Sequence, residues 1–119
     1  MNFKLTVSDV IDVPVKGSVK DGSASVNFNF TLQAKRLPLD QYREALKPEN
    51  AVLMREFLVD NVQGWRGQRL VLDADDQPAS YSPEAFACLL TLVGMEEACS
   101  AAYLQAMQVG DTAAGRRGN

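Results

Sequence analysis

The stretch SASVNFNFTLQAKRLPLDQYREAL, residues 23–46, decides the fold because the spacing of its apolar residues changes halfway along it. Its first half alternates polar and apolar residues, and the apolar ones on one face are Val26, Phe28, Phe30 and Leu32. Such alternation is typical of a strand with one buried and one solvated face. Beyond Pro38, apolar residues recur at helical spacing at Leu39, Tyr42 and Leu46, which predicts a helix up to Pro48.

The residues before this stretch predict a partner strand. VSDVIDVPV, residues 7–15, is rich in β-branched side chains, and KGSVKDGS, residues 16–23, contains residues that favour a turn. We therefore expect an antiparallel hairpin or small sheet. Because proline cannot donate a ladder hydrogen bond, Pro14 indicates a strand at an edge or with an irregularity.

The residues after it predict a second amphipathic helix, from about residue 49 to residue 62. Its apolar stripe consists of Leu53, Met54, Phe57, Leu58 and Val62. Gly64 is expected to end this helix in a left-handed conformation. RLVLD, residues 69–73, then indicates a short strand, and DADDQP, residues 73–78, indicates a turn stabilised by aspartate side chains.

The signals for a helix are clearest from Ser82 onward. Ser82 suits the N-cap, Pro83 the first helical position and Glu84 the positive end of the helix dipole. The predicted buried face consists of Phe86, Leu89, Leu90 and Val93. A break or kink is expected at Gly94, followed by a final helix through about residue 108.

These elements predict an α+β fold, in which a small N-terminal antiparallel β-sheet or hairpin is followed by a bundle of about four α-helices with a short intervening strand. We expect one domain over residues 1–109, β-rich in residues 1–36 and mainly helical in residues 37–109. A chain of 119 residues is long enough to close one core without staples. The small, polar residues 110–119 predict a flexible tail.

Composition narrows the classes of function. The chain has a net charge of -3 and no histidine, which excludes His-based acid–base catalysis, His-activated nucleophiles and imidazole metal ligands. Basic residues are dispersed, so no nucleic-acid partner is expected. No apolar run approaches the roughly 20 residues of a membrane helix, and the N terminus does not resemble a signal peptide, so we expect a cytosolic protein. Neither enzymatic activity nor a cofactor is expected.

Three local features resemble sites but have simpler explanations. The acidic turn suggests calcium binding through Asp73, Asp75 and Asp76. An EF-hand loop needs glycine where Pro78 stands, so we expect a solvated turn and no metal. Cys88 and Cys99 would lie about 16 Å apart on one helix, and both are expected to be reduced, buried thiols. Trp65 is expected to fill the core where a helix meets a strand, which makes residues 62–90 mainly a joint that orients helices.

The runs FLVDNVQGWRG, DADDQPASYSPEAF, ACLLTLVG and AAYLQAM follow one another between residues 57 and 107. In that order they resemble the tail assembly chaperones of long-tailed bacteriophages and prophages. The family pattern has an apolar helix ending in Gly-Trp-x-Gly, an acidic turn with a proline, an aromatic residue with Ser-x-Glu, and a later helix containing Ala-Tyr. FTLQAKRLPLDQYREAL, residues 30–46, is similar to the family's strand and first helix. Asp76 replaces a glycine of the pattern, and aspartate tolerates a left-handed conformation better than most residues.

The resemblance implies a non-catalytic protein that binds the phage tape-measure protein, keeps its long helical apolar surface soluble and helps recruit the major tail-tube protein. It implies action in the host cytoplasm and absence from the mature virion, and it leaves self-association open. Amphipathic helices on an acidic domain can offer an apolar groove to a partner helix. The residues predicted to bind the partner are Phe57, Trp65, Tyr81, Phe86 and Tyr103, and core packing is the competing interpretation for each.

Three other classes of function remain as alternatives. A structural phage protein, such as a tail-tube, terminator or head-tail connector subunit, would form stable rings and enter the virion. A small inhibitor of a host enzyme would bind a host protein and no tail protein. An enzyme would need a cleft with a perturbed Asp, Glu or Lys, and the sequence does not indicate one.

Overall fold

A computed structural model describes residues 2–47, 49 and 54–109 of the chain. Its elements in chain order are β1 (Val10–Asp21), β2 (Ala24–Lys35), α1 (Leu39–Ala45), α2 (Met54–Asn61), β3 (Val62–Arg66), α3 (Pro83–Leu89) and α4 (Met95–Met107). The strands form an antiparallel sheet with the order β1-β2-β3. The predicted α+β fold, with an N-terminal hairpin, a further short strand and four helices in the described ranges, is confirmed. The tail predicted for residues 110–119 lies outside the described residues.

The hairpin is longer than the sequence pattern indicated. β1 and β2 pair residue by residue along their whole length, so only Gly22 and Ser23 form the loop. Residues 16–21, predicted as part of a turn, are therefore strand. A two-residue loop needs a left-handed conformation, and Gly22 adopts it with φ of 64°, which lets the preceding residues stay extended. Pro14 lies in the edge strand β1, as expected.

β3 begins directly after α2, and it corrects two predictions. Gly64 does not end a helix, because it lies in the strand beside Gln33 of β2, where an added Cβ atom would be 2.8 Å from Gln33 Oε1. The left-handed conformation falls instead on Gly67, with φ of 80°. Residues 69–73 form no strand beyond an isolated bridge, because the Gln68 side chain accepts hydrogen bonds from two backbone amides of this segment.

The core lies between one face of the sheet and the helices. α4 packs on β1, and α2 packs on α3 and α4. The largest fully buried side chains are Tyr103, Phe86, Leu32, Leu58, Leu89, Val13, Val15 and Cys99. On the predicted inner face of β2, Phe30 and Leu32 are buried, Phe28 is half-buried and Val26 is exposed, because burial decreases toward the hairpin loop.

Three apolar residues at the helical spacing predicted around α1 and α3 are exposed. Leu39 is 61% exposed and Leu46 52%, because α1 has only seven residues and buries Ala45 instead. Val93 is fully exposed, because α3 ends at Leu89 and the chain turns before α4. The other members of the predicted inner face of α3, which are buried as expected, are Phe86, Leu89 and Leu90.

α2 is the described part of the second predicted helix. Its Leu58 is buried and Phe57 is half-buried, in agreement with the predicted stripe. Val62 is buried as well, but as the first residue of β3. Leu53 and the side chain of Met54 lie outside the described residues.

The helix starts predicted from Ser82 onward are confirmed, whereas α3 ends at Leu89, five residues before Gly94. Ser82 Oγ accepts a hydrogen bond from the Ala85 N–H at 3.0 Å, and Pro83 is the first residue of α3. Gly94, with φ of 91°, separates α3 from α4. In the described ranges, no helix is long and apolar enough to cross a membrane.

Candidate functional site

Three of the five predicted partner-binding residues meet in one aromatic cluster, formed by Trp65, Tyr81 and Phe86. β3 contributes Trp65, α3 contributes Phe86, and the segment before α3 contributes Tyr81. The Trp65 ring lies edge-on to the other two, with centroids 5.3 Å from Tyr81 and 6.5 Å from Phe86. Tyr81 and Phe86 are 6.0 Å apart. Such geometries favour aromatic pairs beyond the area that they bury.

The polar ends of this cluster are hydrogen-bonded within the chain. Trp65 Nε1–H donates to the Ala79 carbonyl at 3.0 Å, and the Tyr81 hydroxyl donates to the Val62 carbonyl at 3.1 Å. Partial burial raises the pKa of Tyr81. Phe86 is 1% exposed, whereas Trp65 and Tyr81 are half-buried. The cluster thus ties β3 to α3, which is the joint expected of Trp65.

The other two predicted residues, Phe57 and Tyr103, lie outside the aromatic cluster in the described structure. Phe57 is half-buried on α2. Tyr103 is buried on α4, and its hydroxyl donates a hydrogen bond to the Lys35 carbonyl at the end of β2. Burial raises the pKa of Tyr103 to about 12. Tyr103 and Phe86 are enclosed by the core, so a partner could reach only the half-buried members of the set, and partner binding by these residues stays a prediction.

Gln68 is a structural residue that sequence reasoning missed. It is 3% exposed, and its Nε2 donates to the carbonyls of Val71 and Ala79 at 2.9 and 3.1 Å. Its Oε1 accepts from the backbone amides of Leu70 and Val71 at 3.1 and 2.8 Å. One amide therefore holds the segment between β3 and α3. Within the polar run RGQR, nothing marks this glutamine as buried.

The exposed candidate is an apolar groove between α1, the end of α4 and the N-terminal segment. It has a volume of about 550 Å³. Its lining residues are Leu5, Asp9, Arg36, Leu37, Pro38, Leu39, Tyr42, Met107, Gln108 and Val109. The Leu37 N–H donates to Met107 Sδ at 3.2 Å, and Gln108 Nε2 donates to the Tyr42 hydroxyl at 2.9 Å, so hydrogen bonds join the α1 region to the end of α4 among the lining residues.

Apolar side chains at and near the groove are open to solvent. The exposed ones among its lining residues are Leu5, Leu39 and Val109. Exposed apolar side chains gathered in this way mark interaction surfaces more often than isolated ones do. Within the run LPL, residues 37–39, nothing in the sequence distinguishes the exposed Leu39 from the buried Leu37.

The acidic turn and the cysteines have structural explanations. Asp73 Oδ1 accepts hydrogen bonds from the amides of Asp75 and Gln77 at 2.8 and 3.1 Å, and Asp76 adopts a left-handed φ of 61°. No cluster of three metal-ligating side chains occurs in residues 2–47, 49 and 54–109. Cys99 is buried, and burial raises its pKa to about 12. Cys88 is exposed, contrary to prediction, because Phe86 and Leu89 occupy the inner face of α3.

Comparison with family models, with curated proteins and with solved structures gives no match for this chain. The likeness to tail assembly chaperones therefore rests on the residues quoted above. The structure itself shows an aromatic cluster whose Trp65 and Tyr81 are hydrogen-bonded within the chain, and an apolar groove that is open to solvent.

Proposed function

We propose that the protein is a non-catalytic tail assembly chaperone of a bacteriophage or prophage, which binds the tape-measure protein and helps recruit the major tail-tube protein. The observation that carries the proposal is the apolar groove, with Leu5, Leu39 and Val109 exposed at its walls. The resemblance of residues 57–107 supplies the class of partner. In this role the protein acts in the host cytoplasm and is absent from the mature virion.

A groove of this kind suits temporary binding of a helix. Burial of one leucine side chain contributes roughly 1.5–3 kcal/mol, so a few leucines of a partner would bind without forming a permanent complex. The net charge of -3 opposes association between copies of the chain while the groove is empty. A chaperone needs both properties, because it must hold an apolar helix in solution and later release it.

A structural tail or head-tail connector protein is the second candidate. It is favoured by β1, a twelve-residue edge strand whose loop-proximal half is mostly exposed. Open strand edges can pair with a neighbouring subunit, as ring assembly would require. Lys16 and Lys20 lie in this half of β1, and charged residues at an edge oppose such pairing.

The test uses the full chain with an affinity tag, expressed in an induced lysogen that carries the corresponding prophage. Complexes are purified, partners are identified by mass spectrometry, and purified virions are probed for the tag. Recovery of tape-measure and tail-tube proteins, with no tag in virions, is the expected result. Tag in virions would replace the proposal with the structural candidate, and recovery of host proteins alone would replace it with an inhibitor of a host enzyme.

A matched pair of variants links the result to the groove. Leu39→Ser removes an exposed leucine at the groove, and Val93→Ser removes an exposed valine between α3 and α4. We expect the first variant to lose most of the tape-measure protein and the second to retain it. Equal recovery with both variants would show that binding occurs elsewhere on the molecule.

A further inference from the structure

The N-terminal segment, residues 2–9, has the residue pattern of a strand but pairs with no strand. Its apolar residues are Phe3, Leu5 and Val7, and polar residues alternate with them. These three apolar side chains are 87%, 78% and 56% exposed. In the described part of the chain, residues 2–7 belong to no helix or strand, and no hydrogen bond joins their backbone to another residue. This segment, the arm, therefore presents an apolar face and a free backbone.

β2 has an unpaired edge next to the hairpin loop. β1 pairs with β2 over its whole length, whereas β3 pairs only with residues 31–34 and ends at Arg66. Gly67, with a left-handed φ of 80°, then turns the chain away from β2. In the described structure, residues 24–30 of β2 are therefore free on the edge that faces away from β1. A free edge exposes N–H and C=O groups that another strand can bind.

A cleft of about 210 Å³ lies beside this free edge. It is lined by residues 26–30 of β2 and by Gly67, Arg69 and Leu70. Val26 is 40% exposed, and Phe28 and Leu70 are half-buried, so the free edge has apolar surface on its inner face. Arg69, the one charged residue of this lining in the described chain, is exposed to solvent. A strand in line with β3 would place every second side chain on the apolar surface, and the arm has apolar residues at that spacing.

The arm cannot reach this cleft in its own chain. The Arg36 N–H donates to the Asp9 carbonyl at 2.6 Å, which fixes the end of the arm beside the end of β2. Val7 is two residues from Asp9 and can lie at most about 7 Å from it. Val26 is ten residues from Arg36 along β2, or roughly 33 Å away. An arm that fills the cleft must therefore come from a second copy of the chain.

Charge favours the free edge of β2 over the free edge of β1. With its apolar residues toward the core, the arm would carry Lys4 on the outer face of the sheet. On that face β1 carries Lys16 and Lys20, so pairing of the arm with β1 would bring like charges together. The residues on the same face of β2 are Asn27 and Asn29, which are exposed and uncharged. The arm therefore meets no like charge across the strands when it pairs with β2.

We propose that two copies of the chain associate by strand exchange, in which the arm of one copy pairs antiparallel with residues 24–30 of β2 in the other. Val7 lies opposite Val26 in this pairing, so that the arm extends the sheet in line with β3. Leu5 leaves the wall of the apolar groove on exchange, whereas the groove residues on α1 and α4 stay in place. This inference goes beyond the proposed function and does not depend on it.

The first measurement is the molar mass of the full chain in solution. Sedimentation equilibrium covers protein concentrations from about 5 to about 500 μM. One short strand makes a small interface, and the net charge of -3 opposes encounter between copies. We therefore expect monomers at low micromolar concentration and dimers with a Kd on the order of 100 μM. A molar mass that stays at that of one chain over the whole range would overturn the inference.

Two pairs of variants locate the contact. Val7→Asp puts a charge on the apolar face of the arm and should weaken association at least about tenfold, whereas Thr6→Asp, on the other face, should change it little. Val26→Asp should act like Val7→Asp, whereas Val93→Asp, at an exposed valine between α3 and α4, should not. Circular dichroism checks that each variant is folded. Equal effects within a pair would overturn the inference.

Disulfide cross-linking tests the pairing between chains. Two proteins are mixed, one with Val7→Cys and a tag that changes its size, the other with Val26→Cys, and both carry Cys88→Ser to remove the exposed native thiol. Opposed side chains of paired strands lie close enough for a disulfide, and a heterodimer on a non-reducing gel can form only between chains. We expect much more heterodimer from this mixture than from one with Thr6→Cys in place of Val7→Cys. Equal yields from the two mixtures would overturn the proposed pairing.

Discussion

The aromatic cluster and the apolar groove both contain apolar side chains and a tyrosine. They differ in whether the rest of the chain covers these side chains. In the cluster, Trp65 and Tyr81 use their polar atoms on carbonyls of the same chain, and Phe86 is enclosed. In the groove, Leu39 and Val109 are open to water. The most conspicuous part of the sequence, the segment with Trp65, therefore stabilises the fold. The α1 region, which has no conspicuous motif, exposes apolar side chains to solvent.

The largest expected effect is on the cluster, through Phe86→Ala. Removal of a buried phenylalanine should lower the free energy of unfolding by about 3–5 kcal/mol, because it loses apolar burial and leaves a cavity. Urea unfolding followed by circular dichroism measures the change. Phe3→Ala, at a side chain 87% exposed, is the control and should change stability by less than about 0.5 kcal/mol. Similar losses in both variants would contradict the assignment of Phe86 to the core.

The second effect concerns the segment that the cluster holds. Gln68→Ala removes four hydrogen bonds to backbone groups, two of them donated by Nε2 and two accepted by Oε1. Each buried group left unpaired costs about 1–3 kcal/mol, although water entering the space will recover part of this. We expect a loss of about 2–3 kcal/mol in urea unfolding. Gln63→Ala, at an exposed glutamine of β3, should be nearly neutral, and a neutral Gln68→Ala would refute the role given to this side chain.

A smaller effect is expected from Trp65→Phe, which keeps an aromatic ring but removes the Nε1–H donor. The Ala79 carbonyl then retains its hydrogen bond from Gln68, so the loss should be about 0.5–1.5 kcal/mol. Circular dichroism is the suitable probe, because the chain has no other tryptophan to report by fluorescence. A loss as large as that of Phe86→Ala would mean that the ring's packing, rather than its hydrogen bond, dominates at this position.

The smallest effect on stability is expected in the groove. Leu39→Ser should change the free energy of unfolding by less than about 0.5 kcal/mol, since the leucine is exposed in the free protein. The same variant is expected to weaken binding. Substitutions in the aromatic cluster should therefore lower stability, whereas a substitution in the groove should lower affinity for the partner. A marked loss of stability in Leu39→Ser would show that this leucine stabilises the fold as the aromatic cluster does, and would contradict the comparison of the two regions.

Local signals in the sequence were sufficient to predict features that depend on hydrogen bonds and backbone conformations of neighbouring residues. The Ser82 N-cap, Pro83 and the break at Gly94 depend on neighbouring residues, and each is found where its chemistry predicts. β3 could not be predicted, because Val62–Arg66 become a strand only by pairing with β2, about thirty residues earlier. Local helix and turn preferences placed Gly64 at a helix end, and tertiary pairing overrode them.

The candidate surface was harder to predict than the fold. The five aromatic residues were chosen because they belong to the helical units near the joint, yet Phe86 and Tyr103 are buried in the core. Leu39 was placed on a helix from the spacing of apolar residues, and that spacing does not reveal how short α1 is or which of its residues are buried. The exposure of a residue depends on which elements pack over it. A periodic pattern identifies the apolar faces of an element but does not show which of them another element covers.

The packing of α4 on β1 has a consequence for synthesis of the chain on the ribosome. The β1–β2 hairpin can form by itself on a microsecond timescale, because its two-residue loop brings the strands together at once. Its apolar face, with Val13 and Val15, stays uncovered until α4 has been translated, some seventy residues after the hairpin is complete. At about 5–20 residues per second, that interval is roughly 4–14 s. During those seconds the nascent protein itself exposes an apolar surface, and any truncation before α4 would make that exposure permanent.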